Sequence, residues 1–385
     1  MTGKATFMGY RRHDGGAGVR NYVAVVPTVL CSCSVARGIA EATRANVFTH
    51  DGGCGQLGPD RDHTLRVLEG VAAHPNVGAL LAVGLGCEQI DAGKLVEAAG
   101  GKPARSISIH ELGGNTSTVK RGTEIVKQLR REAAKARRVP IAAEELTVAT
   151  QCGSSDTGSG LASNPATGAM ADLLAEQGGA VILGETGSLY GAAGLMARRV
   201  AAKEIGDRII EMTDVLEGYY MRMGNSLREA NPTPGNIAGG LTTLVEKSLG
   251  GVRKGGTTPI RGVLEAGERI KGKGLWVMNT SMGLGACATA DMLASGAQVM
   301  VYTTGMGNPV GSPLGPVVKV TATKGTAESL ADIIDFDASP VLLGDESVQD
   351  CGRRLLDEVL EVASGRQVSS ERTGHNVFAI GKMVV

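Results

Sequence analysis

Residues that bind metals or move protons recur in this chain just after apolar runs. His50 and Cys54 share the segment THDGGCG, Cys87 lies in GLGCEQ, and Cys152 opens CGSSDTGSGLASNP. Thiolates and imidazoles hold iron or zinc, or an iron–sulfur cluster. The spacing is not that of a zinc ribbon, so the fold would have to assemble such a site. The competing structural reading is that cysteine is a small apolar filler. Cys31 and Cys33 form a weaker CxC pair, and Cys287 and Cys351 fall on helical patterns and are expected in the core.

Three further segments bear on function. In CGSSDTGSGLASNP (152–165), successive backbone N–H groups leading into a helix suit a carboxylate or phosphate. Asp156 there could ligate a metal or move a proton, while Ser163 or Asn164 caps the helix before Pro165. In NPTPGNIAGGLTTLVEKSLGGVRKGG (231–256), two prolines fix φ and Glu246-Lys247 lie close to Lys254. Lysines near a low-dielectric pocket can stabilise an enolate or act as bases. The fourth segment, TTGMGNPVGSPLGP (303–316), has prolines where a dinucleotide turn would start its helix, so NAD binding is rejected.

The elements that must position these residues read as α/β throughout. NYVAVVPTVL, VGALLAVGLG, ELTVATQC, AVILGET, GLWVMNT, QVMVYTT and PVVKVTA read as strands, with helical patterns between them. The expectation is two Rossmann-like α/β domains with mainly parallel sheets flanked by helices, over residues 1–140 and 146–385, joined by a linker in KARRVPIAAEEL. Segment 231–258 reads as an ordered loop, and about 189–223 as one long helical region. Ligands gather at the carboxyl ends of parallel strands, where THDGGCG, GLGCEQ, QCGSSD, GETGS, MNTSMG and TTGMGNP all lie.

Composition narrows the classes. The chain has 385 residues, 39 Lys+Arg and 39 Asp+Glu, so its net charge of zero argues against a nucleic-acid binder. Hydrophobic residues at 42% suit a folded core, and no apolar run approaches the roughly 20 residues of a membrane span. An odd count of 7 cysteines without a leader argues for reduced thiols, and a cytoplasmic location is the default expectation.

Taken together, the motifs resemble the altronate/galactarate dehydratase family over nearly the whole length. The markers are GYRRHDGGAGVRNYVAVVPTV (9–29), THDGGCGQ (49–56), GLGCE (84–88), CGSSDTGSGLASNPATG (152–168), NPTPGNIAGGLTTLVEKSLG (231–250) and TTGMGNPVGSP (303–313). The resemblance implies two α/β domains and, because the chain begins directly at the GYRR segment, a split form whose small N-terminal domain is a separate protein. Self-association into a homo-oligomer is expected as well. GLWVMNTS and TTGMGNP are also similar to the branch that releases sulfite from (2R)-sulfolactate. Four positions depart from the family pattern: Ala193 and Asn279 stand where acids are usual, Met306 where Arg is, and Gly251 where Cys is. They motivate an alternative in which the chain is a non-catalytic scaffold or regulatory subunit.

The resemblance implies a lyase that removes water from a 2-hydroxy or sugar acid to give a 2-keto acid, with sulfite release as the alternative. Such a β-elimination needs a base, cationic stabilisation of an enolate and, for hydroxide, a proton donor. The expected assignment is Fe(II) or Mg(II), or else an iron–sulfur cluster, at His50, Cys54, Cys87 and Cys152. Arg20 and Lys254 neutralise the carboxylate, and Asn21, Ser154, Ser155, Asn236, Thr242, Thr243 and Glu185 contact substrate. Glu246 or Lys247 transfers the proton, with Asp156 in reserve.

Overall fold

The valine-rich runs do become parallel strands, because a strand covered by helices on both faces can be apolar throughout. The computed structural model describes residues 5–282 and 285–383. Residues 1–4 of the N-terminal segment, Gly283 of the MNTSMG loop and 384–385 at the end of the second expected domain lie outside them.

The strands are β1 (Thr6–Arg11), β2 (Ala17–Gly18), β3 (Tyr22–Pro27), β4 (Asn46–Val47), β5 (Val77–Gly84), β6 (Ala104–Ser108) and β7 (Arg138–Ala142) in the first part of the chain. The second part carries β8 (Thr147–Cys152), β9 (Ala180–Leu183), β10 (Ile260–Glu265), β11 (Gly274–Asn279), β12 (Val299–Thr303), β13 (Val317–Thr321) and β14 (Phe336–Asp337). A four-stranded parallel sheet has the order β4-β3-β5-β6, and a seven-stranded parallel sheet the order β10-β11-β9-β8-β12-β13-β14. The fold class is therefore the α/β one expected, with helices flanking both parallel sheets.

Two readings need correction. KARRVPIAAEEL is not a free linker: β7 within it pairs antiparallel with β1, which also pairs with β2, in a third small sheet. Segment 231–258 is not a plain loop but carries the helices Pro234–Ala238 and Leu244–Gly251 and the 3-10 turn Val252–Gly255. The long helical region divides into Thr186–Leu189, Ala193–Met196 and Lys203–Arg222.

The parallel sheets share a core. Phe48, Leu68 and Leu80 from the first pack in one cluster with Met292, Met300 and Tyr302 from the second. The Gly58–Ala73 and Gly285–Ala294 helices meet so closely that a Cβ on Gly70 would lie 2.5 Å from the Ala294 carbonyl oxygen, so this crossing requires glycine. Cys287 and Cys351 are buried, as expected of core thiols. Among the described residues no helix is long and apolar enough to cross a membrane.

Candidate active site

The large sheet reverses its direction of growth beside β8. The chain lays β9, β10 and β11 to one side of β8, then crosses to place β12, β13 and β14 on the other. The crevice outside the carboxyl ends at such a reversal is where α/β sheets bind ligands. Cys152 is the last residue of β8, in register with Thr303, the last residue of β12.

Cys152 and Glu185 form the centre of the site. The thiol is buried and donates to Glu185 Oε2 at 3.3 Å, while the Ser155 hydroxyl donates to the Cys152 sulfur at 3.2 Å. Glu185 follows β9 with φ of 76°, a left-handed backbone that is costly for a residue bearing Cβ and that clusters at functional sites. Ser154, two residues beyond Cys152, shares the feature with φ of 59°. Burial pushes the Cys152 thiol up and the Glu185 carboxylate adds to it, while Lys254 and Lys247 pull it back.

Two lysines supply positive charge. Lys247, on the Leu244–Gly251 helix, donates to Asn231 Oδ1 at 2.8 Å and Asn236 Oδ1 at 2.9 Å. Asn236 is itself oriented by donating to the Ser155 carbonyl at 3.0 Å. Lys254, in the 3-10 turn, is only 1% exposed. Two cavities meet at Lys247. One of about 360 Å³ is lined by Cys152, Ser155, Asp156 and Glu246. The other, of about 270 Å³, is lined by Glu185, Thr186, Asn231, Thr280, Ser281 and Met282.

Several expected residues serve structure instead. Arg20 pairs with Glu371 at 2.8 Å and also donates to the Val362 and Arg366 carbonyls. Asn21 is held by Arg12 and by the Ala133 carbonyl. Both precede β3, so they lie at the amino edge of their sheet, opposite the edge where ligands bind. Glu246 accepts from the Thr242 amide and hydroxyl, and its own amide is capped by Thr243, so all three residues fasten a helix start. The Thr242 hydroxyl, foremost, holds the Glu246 carboxyl below the usual range. Asp156 accepts from Ser159 and Thr323, which makes it a clamp on the wall of the larger cavity.

The expected metal set does not assemble. Both His50 ring nitrogens are engaged, Nε2 with the Pro27 carbonyl at 2.9 Å and Nδ1 with the Gly52 amide at 3.2 Å. Burial pushes its pKa down. Cys54 and Cys87 are exposed, in neighbouring loops joined by Gln89 N–H donating to Gly53 at 3.1 Å. Cys152 belongs to the other parallel sheet. Among the described residues no three of His, Cys, Asp and Glu are grouped to hold a metal ion. The four donors thus do not fit a single ion or cluster.

Sequence reasoning also passed over some residues. Asn231, which opens the NPTPGN motif, accepts from Lys247 at 2.8 Å and lines the smaller cavity. Thr280 and Ser281 follow a strand and could have been taken from that position alone. Tyr302 lies behind the site, where burial, foremost, and the neighbouring Glu185 carboxylate push its phenol pKa up.

Two family models match the chain. Residues 9–134 match the model described as D-galactarate dehydratase/altronate hydrolase, second domain, and 143–385 match D-galactarate/altronate dehydratase, C-terminal. The chain is 36% identical to the (2R)-sulfolactate sulfo-lyase subunit beta of Chromohalobacter salexigens, covering 98% of this chain and 97% of that one. It is 34% identical to altronate dehydratase of Bacillus subtilis, covering 98% and 78%. It is 32% identical to galactarate dehydratase (L-threo-forming) of Escherichia coli, covering 97% and 76%. These relatives carry the names of lyases, and the chain belongs to the D-galactarate/altronate dehydratase family.

Proposed function

We propose that this chain is the large subunit of a two-component lyase that β-eliminates water from a 2-hydroxy or sugar acid, with Glu185 and Cys152 as its proton-transfer pair. The observation carrying this reading is the 3.3 Å contact between a buried thiol and a carboxylate, at the carboxyl edge of the large sheet, under the pull of two lysines. In this reading Glu185 takes the proton next to the substrate carboxylate. Lys247 and Lys254 stabilise the enolate that forms. The Cys152 S–H, kept protonated by burial, gives its proton to the departing hydroxide. Glutamic acid 185 then returns a proton to the thiolate across the same contact, and the pair is restored.

The Fe(II), Mg(II) or iron–sulfur expectation enters no step, because its four donors do not converge. Asn279, one of the four departures, donates its amide N–H to Glu265 at 2.9 Å. The complete Cys152–Glu185–Lys247–Lys254 arrangement favours catalysis over the scaffold alternative. Sulfite release is kept as the second reading, since the sulfo-lyase subunit beta matches nearly end to end. That match also supports work beside a separate subunit.

The test is to purify the chain with whatever subunit accompanies it and supply altronate, galactarate and (2R)-sulfolactate separately. A 2-keto product without sulfite supports dehydration, and sulfite release supports the second reading. No product from any of these or related hydroxy acids would favour the scaffold.

A further inference from the structure

Outside the site just described, the molecule contains a buried histidine that the proposed chemistry does not use. His63 sits on the Gly58–Ala73 helix of the first parallel unit, and its ring is fully covered. Its Nε2 meets Asp291 Oδ1 at 2.8 Å, and both side chains have no exposure. Asp291 belongs to the Gly285–Ala294 helix of the second unit. The other carboxylate oxygen, Oδ2, accepts from the Ser281 amide at 2.9 Å and from the Ser281 hydroxyl at 2.6 Å.

The chain of contacts continues into the cavity. Thr280 and Thr186 exchange bonds, with Thr280 N–H donating to Thr186 Oγ1 at 3.0 Å and Thr186 N–H to Thr280 Oγ1 at 3.2 Å. Thr186 follows Glu185 directly, so this exchange braces the residue after the left-handed turn. Thr280, Ser281 and Glu185 all line the smaller cavity. Among the described residues His63 Nδ1 has no hydrogen-bond partner, and the ring's polar link to them is the bond to Asp291. The helix face that presents His63 also presents Gly70, at the close crossing with Ala294.

We infer that His63 is a positioning residue: through Asp291 and Ser281 it lets the first parallel unit hold the Thr280–Ser281 wall, and with it Glu185, in register with the substrate. The inference rests on the reading of Glu185 as a proton-transfer group. A carboxylate holding two donors of one loop residue needs a fixed rotamer, and the His63 N–H supplies the bond that fixes it. Losing this bond leaves the binding lysines in place but lets the wall shift, and a displacement near 1 Å at a reacting group costs about 10²-fold in rate. The signature is a fall in kcat with little change in KM.

Steady-state kinetics of His63→Leu, His63→Gln and Ser281→Ala, purified as the wild-type enzyme is, decide the matter, with altronate, galactarate and (2R)-sulfolactate as substrates and Glu185→Gln alongside. Glutamine keeps an N–H donor near the Nε2 position. His63→Leu is expected to lower kcat about 10²-fold with KM within about threefold, and His63→Gln to recover at least about tenfold of that loss. Ser281→Ala is expected to lower kcat in the same direction, and it decides the case if His63→Leu does not fold. If Glu185→Gln is inactive while all three other variants keep wild-type kcat, the positioning role is wrong and the site reading stands. If Glu185→Gln is fully active, the site reading itself has failed. Equal losses for leucine and glutamine that follow melting temperature would reduce His63 to a packing residue.

Discussion

Glu185→Gln alters charge and little else. The volume is kept, and the amide oxygen can still accept from the Cys152 thiol, but a negative charge 3.3 Å from the sulfur is removed. At an effective dielectric of about 20, two unit charges at that spacing would repel by about 5 kcal/mol, which disfavours a thiolate beside the carboxylate. Losing a positioned base costs about 10²- to 10⁴-fold, and kcat for keto-acid formation should fall in that range. The thiol should respond as well. With the like charge gone, the Cys152 pKa falls below its wild-type value, while burial, the largest cause of its upward shift, remains. Because the reaction needs the S–H form, residual activity should lose its alkaline side at a lower pH than wild type. Ultraviolet thiolate absorption, read with the exposed Cys31, Cys54 and Cys87 changed to serine, follows the ionisation directly. A variant with kcat within threefold of wild type, or with a Cys152 pKa that rises, would refute the reasoning.

Lys254→Met keeps the bulk of a side chain that is 1% exposed and removes its charge. Turnover should fall about 10²- to 10³-fold, as when an oxyanion donor is lost, and the Cys152 pKa should move further up. Gly305→Ala places a Cβ 1.9 Å from Asp156 Cγ, so the carboxylate must leave Ser159 and Thr323. Unfolding should become easier by about 2 kcal/mol or more in denaturant melts. Burial lowers the Lys102 pKa from 10.5 to about 7. Between those values the unfolded chain holds more protons than the folded one, so wild-type stability gains on Lys102→Met as pH rises, by at most about 5 kcal/mol. Paired urea melts at the two ends of that window read the difference.

How far sequence reached depended on whether the information was local. Continuous apolar runs such as VAVV and ALLAV, short and bounded by turn residues, favour covered strands, so the parallel sheets were legible, and the polar loop after AVIL singled out Glu185 as a candidate. Arg20 and Asn21 were misread because their partners, Glu371 and Ala133, are distant in the chain, and polarity alone does not say which edge of a sheet a residue occupies. The cysteines failed for a related reason: each lies at or beyond the end of a strand, but Cys54 and Cys87 belong to one sheet and Cys152 to another. Glu246 could have been read correctly. A Thr three residues before a Glu at the start of an apolar run is a helix-start signature, and it weakens a catalytic role for that carboxylate. The β7 strand escaped notice because five residues that include Arg138 and Pro140 look like a connector, and only pairing with β1 makes them a strand.

The most direct measurement is a crystal structure of the enzyme with a 2-hydroxy acid that lacks the leaving group. The account predicts its carboxylate against Lys247 and Lys254, with the carbon next to it facing Glu185. An acid bound instead between the Cys54 and Cys87 loops, with the Cys152–Glu185 pair untouched, would contradict it.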